Sequence, residues 1–222
     1  MPAVTYILCD VEGTTTDIKF VHKTLFPYAK ERLEAFFQSY QEEQEKSAQA
    51  LSCAFETVVP TLIGFIDRDV KNAELKRVQG LIWSKGYANG DLLGHVYPDV
   101  PPAFVRWRTQ GKGLGIYSSG SVQAQKLIYT HSIAGDLCVY IQHHFDLAQG
   151  YKYEKESYQN IQQSLGIPAQ QILFLSDVEV ELDAAQATGM QTIRLFRDEF
   201  STTKHEYRRD FQSILGRLLD AV

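Results

Sequence analysis

Cysteine is scarce in this chain, and so is any surplus of basic residues. Cys9, Cys53 and Cys138 are odd in number and far apart, and they match neither a disulfide framework nor a metal-ligand pattern. The 22 Lys and Arg are outnumbered by 27 Asp and Glu, for a formal charge of −5. That leaves no basic field to attract nucleic acid or an anionic membrane. No basic segment followed by a long apolar run opens the chain, so no signal peptide is visible. The longest apolar region, 58–66, contains Pro60, Thr61 and Gly64 and is too short to span a bilayer. Internal repeats and low-complexity tracts are also missing. A reduced, cytoplasmic protein is expected, with no nucleic-acid or membrane partner. At 222 residues the chain is long for one minimal domain, and one domain plus an insertion accounts for the length.

What is present is organised around ILCDVEGTTTD, residues 7–17. Val4, Tyr6, Ile7, Leu8 and Cys9 form an apolar, β-rich run that predicts a buried strand. The run stops at Asp10, and a second acid, Glu12, follows two positions on, where side chains of an extended chain share a side. Gly13 then lets the backbone turn where a side chain would obstruct. Two carboxylates at the carboxyl edge of a buried strand lie where open α/β sheets bind ligands. Unless a cation or hydrogen bonds satisfy them they cost stability, which points to a metal-assisted site. The plainer reading has Asp10 starting a turn and Glu12 in solvent.

Apolar residues at helical spacing, among them Leu25, Ala29, Leu33, Phe36 and Phe37, predict a helix from His22 to about Ser47. Further helical patterns cover 51–67 and 72–87, and no strand pattern occurs between about 18 and 95. Beyond this insert, a helix is expected from 97–104 onward with Asp99 as N-cap. A strand follows at 114–117, a helix at 122–130, and a strand or extended loop at 139–145. Next come a helix at 154–165 closed by Gly166, a strand at 172–175, a helix at 179–188 and a strand at 191–195. A closing helix is expected at 206–219. Such alternation predicts a parallel sheet with helices on both faces.

Four separated elements fall at predicted strand ends or in the adjoining loops: Asp10 with Glu12, Ser118-Ser119-Gly120, Lys152, and Asp177. In order and chemistry they resemble the haloacid-dehalogenase-type phosphohydrolases: an acid pair followed by glycine and threonine, a strand-end Ser, a Lys, and a final acid. The resemblance covers nearly the whole chain. It implies an α/β fold, with a Rossmann-like parallel-sheet core from residues 1–17 and 96–222 and an all-helical cap inserted at 18–95. DVEGTTTDIKFV, GHVYPDVPPA, YSSGSVQAQKL and FLSDVEVELDAA resemble, more narrowly, the enolase-phosphatase family of methionine salvage. Glu12 is the sharpest discriminator, because most phosphatases of the superfamily carry Asp there. RLFRDEFSTTKHEY, 194–207, departs from the family pattern.

This resemblance implies a monomeric enzyme with one Mg²⁺ per chain. Its small-molecule substrate would be 2,3-diketo-5-methylthiopentyl-1-phosphate, enolised first and then dephosphorylated through an aspartyl-phosphate to the acireductone. Asp10 would be the nucleophile, and Asp10, Glu12 and Asp177 would form the metal site, Glu12 by side chain or backbone carbonyl. Glu12 would also act as acid/base, Ser118, Ser119 and Gly120 would hold phosphate, and Lys152 would do so as a catalytic point charge. The enolisation base is open, with Glu12 the first choice and a cap residue the next.

Bland roles compete at each position. Ser118 and Ser119 could cap the helix at Val122, Asp177 the helix near Glu179, and Lys152 could be a surface lysine with Lys155 its rival. Glu181 reads as a supporting or solvated residue, His143-His144 as a superficial metal signal, and His95 as hinge or substrate contact. Phe36, Phe37, Trp83 and Cys9 read as core. Three other functions remain: a superfamily phosphatase for sugar or nucleotide phosphates, a phospho-receiver domain, and an inactive binding protein.

Overall fold

The computed structural model describes residues 2–198 and 201–217. The chain forms two compact units, one from Met1–Ile18 with Gly94–Val222 and the other from Lys19–Leu93.

The first unit is built on a six-stranded parallel sheet. Its strands are β1 (Tyr6–Cys9), β2 (Gly113–Tyr117), β3 (His143–Phe145), β4 (Ile172–Ser176), β5 (Gln191–Leu195) and β6 (Tyr207–Arg208), in the order β3-β2-β1-β4-β5-β6. β1 and β4 are buried along their whole length, which is why both read as unbroken apolar runs. β1 lies between β2 and β4, with Tyr6 opposite both Gly113 and Ile172. The chain winds one way through β2 and β3, then crosses back to β4. That reversal puts the sheet's switch point at the carboxyl ends of β1 and β4, the position where open α/β sheets bind ligands. Helices α6 (Val100–Thr109), α7 (Val122–Thr130), α8 (Lys155–Leu165) and α9 (Glu179–Gln186) connect the strands, and α10 (Gln212–Arg217) follows β6.

The second unit is helical. A short α1 (Ile18–Phe20) and a π-helical turn, Val21–Leu25, lead into α2 (Phe26–Ser39), followed by α3 (Gln41–Leu51), α4 (Val58–Asp67) and α5 (Ala73–Ala88). Leu33, Phe37, Leu62 and Val78 are buried, as are Phe36 and Trp83. The indole of Trp83 donates to the Leu25 carbonyl at 2.8 Å. These aromatics are core, as their spacing indicated.

Several boundaries differ from the sequence expectation. The helix from His22 to Ser47 breaks at Tyr40, whose φ of −135° and ψ of 67° leave the helical region. The break lets α3 bring Ser47 onto Glu74 of α5 at 2.6 Å. The extended region at 139–145 contracts to β3, preceded by a 3-10 turn at Cys138–Tyr140. No helix begins at Glu206. Residues 207–208 instead form β6, where Arg194 N–H donates to the Glu206 carbonyl at 2.7 Å and Phe196 N–H to Arg208 at 3.0 Å. β6 thereby supplies partners along the edge of β5, and the helix starts only at Gln212; Leu219 lies outside the described residues. Asp99 does not cap α6 with its side chain. Its Oδ2 instead receives Arg197 Nη1 at 2.7 Å and Phe211 N–H at 2.6 Å.

Candidate active site

The loop after β1 is a tight coil around the Val11 carbonyl, which accepts from the amides of Thr14, Thr15 and Thr16 at 3.2, 2.9 and 2.9 Å. Gly13 closes the coil with φ +73°, and its amide donates to Thr16 at 2.8 Å. A Cβ at Gly13 would stand 2.5 Å from Asp177 Cγ. The glycine is therefore required twice, by a left-handed φ and by the close approach of a carboxylate. The three threonines are fully buried, and each hydroxyl has its own partner. Thr14 Oγ1 accepts from Asp177 N–H at 3.1 Å, Thr15 Oγ1 meets Tyr129 Oη at 2.7 Å, and Thr16 Oγ1 donates to the His95 carbonyl.

This coil projects Asp10 into a buried charge cluster. Lys152 Nζ pairs with Asp10 Oδ1 and also with Glu181 Oε2, the latter at 2.7 Å. Ser176 Oγ lies 2.9 Å from Glu181 Oε2 and 3.4 Å from Asp10 Oδ2. Asp10 is 2% exposed and Lys152 6%, although the neighbours Tyr151 and Tyr153 are open to solvent. Burial disfavours the Lys152 ammonium, but the carboxylates of Asp10 and Glu181 outweigh that and hold it charged, well above the usual lysine range. Burial, followed by the charge of Asp10, pushes Glu181 and Asp177 each up to about 7. The same two causes raise Glu12.

Glu12 faces the second loop. Ser118 Oγ donates to Glu12 Oε2 at 3.2 Å and accepts from Gly120 N–H at 2.9 Å. Capping of α7 falls to Ser121, which accepts from Ala124 N–H at 3.2 Å, so Ser118 is released for the site. Ser119 is only part-buried beside it. Asp177 caps no helix, since α9 begins without a side-chain cap. Its Oδ1 is buried and receives no hydrogen bond. Lys155 is exposed on the first turn of α8, so the lysine rivalry resolves to Lys152. His143 and His144 diverge as adjacent strand residues must, His143 to Tyr6 Oη at 2.9 Å and His144 to Gln125 at 3.1 Å. His95 Nδ1 accepts from Asp17 N–H at 3.1 Å.

The structure thus gathers Asp10, Lys152 and Asp177 around one strand edge, with the Glu12–Ser118–Gly120 chain beside them. Among the described residues no three His, Cys, Asp or Glu side chains converge on a metal position. Of the two roles the sequence left to Glu181, supporting or solvated, its contacts with Lys152 and Ser176 give the first. One supporting residue escapes a reading from sequence. Gln125, 1% exposed, spans the Gly120 and Phe145 carbonyls at 3.0 and 2.7 Å. A glutamine on the buried face of a helix was the available signal.

Comparison with known proteins agrees with this geometry. Residues 4–189 match the family model described as haloacid dehalogenase-like hydrolase. The chain is 44% identical to enolase-phosphatase E1 of Erwinia tasmaniensis over 226 residues, 97% of this chain and 98% of that protein. It is 48% identical to the enolase-phosphatase E1 of Yersinia enterocolitica over 201 residues, 86% and 88% of the two chains. The crystal structure of the UTR4 protein of Saccharomyces cerevisiae superposes with a TM-score of 0.83 at 31% identity, covering 95% of this chain and 99% of that one. The L-2-haloacid dehalogenase of Xanthobacter autotrophicus, 14% identical with a TM-score of 0.61, shares the fold. With its sheet, its site loops and these relatives together, the chain belongs to the haloacid dehalogenase-like hydrolases and, among them, to the enolase-phosphatase E1 family.

Proposed function

We propose that this chain is the bifunctional enolase-phosphatase of methionine salvage, a cytoplasmic monomer acting on 2,3-diketo-5-methylthiopentyl-1-phosphate. The observation that carries the reading is the buried Lys152–Asp10 pair at the carboxyl edge of β1, beside a carboxylate, Glu12, raised toward protonation. Asp10 Oδ is the nucleophile. It bonds to phosphorus while the bond from phosphorus to the substrate oxygen breaks. Glu12 gives its proton to that leaving oxygen, then takes one from the water that cleaves the aspartyl-phosphate. Phosphate leaves and Asp10 is restored. Lys152 keeps positive charge beside the phosphoryl group, and Ser118 with the Gly120 amide lines its other side. For the preceding enolisation, Glu12 is the assigned base for the proton beside the carbonyl.

The donor set fits one Mg²⁺ held by Asp10 and Asp177. The buried Oδ1 of Asp177 has no other partner, and magnesium takes one or two carboxylates and completes its shell with water and phosphate oxygen. When bound, the ion supplies positive charge that offsets repulsion between an anionic nucleophile and an anionic substrate.

The test is incubation with the diketone phosphate and Mg²⁺, following enol formation and phosphate release separately. The wild-type chain is expected to give both, Asp10→Asn to release no phosphate, and Glu12→Ala to lose proton exchange at the carbon beside the carbonyl. Phosphate release with no enol from a slowed variant would reassign the chain to a phosphatase of sugar or nucleotide phosphates.

A further inference from the structure

The segment that departs from the family pattern, 194–207, contains a buried arginine that the mechanism above does not use. The side chain of Arg197 is 7% exposed. Nε and Nη2 both donate to the Thr14 carbonyl, at 2.9 and 2.6 Å. Nη1 donates to Asp99 Oδ2 at 2.7 Å, and the guanidinium lies over the rings of Tyr97 and Phe211 at 4.3 and 4.9 Å. Every face of this cation is thus engaged by the protein. Its charge is answered by Asp99, so its influence on the neighbouring site is geometric.

That geometry ends at Asp177. The residue whose carbonyl Arg197 grips is the same residue whose hydroxyl accepts from Asp177 N–H. The preceding residue, Gly13, touches the Asp177 carboxylate so closely that no Cβ fits. Thr14 is therefore a peptide held from two directions, with the Asp10 loop on one side and the Asp177 backbone on the other. We infer that Arg197 is a positioning residue: by clamping Thr14 it fixes the spacing of Asp10 and Asp177, and so sets the affinity of that pair for a divalent cation. The inference rests on the proposed Mg²⁺ site. A planar fork can place two N–H groups on one carbonyl and a third on a carboxylate, whereas an ammonium cannot hold that arrangement. Partners that orient metal ligands are worth about 10–100-fold in metal affinity.

The test is calorimetric titration of the full chain with Mg²⁺, without substrate, alongside thermal melting. Wild type should bind and Asp177→Asn should not; a wild type that binds no Mg²⁺ defeats the metal site itself, and the inference with it. Given wild-type binding, Arg197→Lys should raise the Mg²⁺ dissociation constant about tenfold. Thr14→Val keeps the carbonyl and removes the hydroxyl, and should weaken binding as well. The double variant should lose less than the product of the two single losses, because both break one chain of contacts. A lower melting temperature with Mg²⁺ affinity within twofold of wild type in Arg197→Lys would overturn the inference. If Arg197→Lys fails to fold, unchanged Mg²⁺ affinity in Thr14→Val overturns it equally.

Discussion

Gly13→Ala separates two demands that the site makes on one residue. The first is conformational, because φ is +73° and a side chain there costs ~1 kcal/mol. The second is steric. The new Cβ would stand 2.5 Å from Asp177 Cγ and 2.9 Å from Oδ1, whereas ordinary contact begins at 3.4 Å. Oδ2 stands closer still, so the carboxylate would have to retreat by at least about 1 Å or the coil would have to open, and misplacement on the order of 1 Å at a reacting centre costs about a hundredfold in rate. Gly111 provides the control, since its φ is +74° and nothing lies within 4 Å of its Cβ position. Gly111→Ala should therefore lose ~1 kcal/mol of stability and keep its turnover. Gly13→Ala should lose at least as much stability and about a hundredfold in turnover of p-nitrophenyl phosphate with Mg²⁺. Scanning calorimetry reads the first quantity and phosphate release the second. If Gly13→Ala turns over substrate within twofold of Gly111→Ala, Asp177 is not held where the chemistry needs it, and the reasoning fails.

Lys152→Met leaves Asp10 and Glu181 buried without their cation, so urea unfolding should show a loss of ~3 kcal/mol and phosphate release should stop; an unchanged urea midpoint would contradict this. Gln125→Leu removes the donor shared by the Gly120 and Phe145 carbonyls. It should cost ~1–3 kcal/mol and raise KM for p-nitrophenyl phosphate more than it lowers kcat, a split that steady-state kinetics resolves. His144 gives a pH signature, because burial, then the charges of Lys126 and His143, lowers it to about 4. Its folded value lies below the ordinary histidine value, so the unfolded chain takes up the proton first as pH falls. The stability it protects is complete above about pH 6.5 and is lost between there and about 4. With allowance for partial exposure the loss is on the order of 2 kcal/mol. His144→Gln should flatten that slope in urea melts at pH 7 and 4.5, and an unchanged slope would place the titration elsewhere.

The sheet was readable because buried parallel strands carry their apolar runs openly: YILC and ILFLS are both buried from end to end. The acids of the candidate site were readable because the predicted strands stopped abruptly at polar residues, as at Asp10 and Asp177. Signals that depend on which of two local partners wins were not readable. Asp99 has the residue type and position of an N-cap, yet a buried arginine nearly a hundred positions later takes its carboxylate. Ser118 and Ser119 were the cap candidates the sequence offered, and only the path of the chain gives the cap to Ser121 and Glu12 to Ser118. β6 is two residues long, too short for periodicity to separate it from the helix beyond. The triple threonine served as a family mark with no physical account until its three hydroxyls were seen to meet three different elements.

The charge balance of the site supports the reading of its parts. Asp10, Glu12, Asp177 and Glu181 crowd around one ammonium, Lys152. Glu12, Asp177 and Glu181 are each raised, first by burial and then by the charge of Asp10. A phosphate ester, itself an anion, would be repelled by such a cluster. The site can admit it only by taking up a proton or by gaining a cation, and each change has a structurally distinct home. Asp177, with an orphan buried oxygen, is suited to a cation, whereas Glu12, raised by burial and then by the charge of Asp10, is suited to a proton. Between them Lys152 pairs directly with Asp10, the proposed nucleophile, and so keeps a cation at its side. Two acids separated only by Val11 thereby sit in different surroundings, Asp10 against the Lys152 ammonium and Glu12 raised by burial and by the charge of Asp10, as the proposed division between nucleophile and proton donor requires.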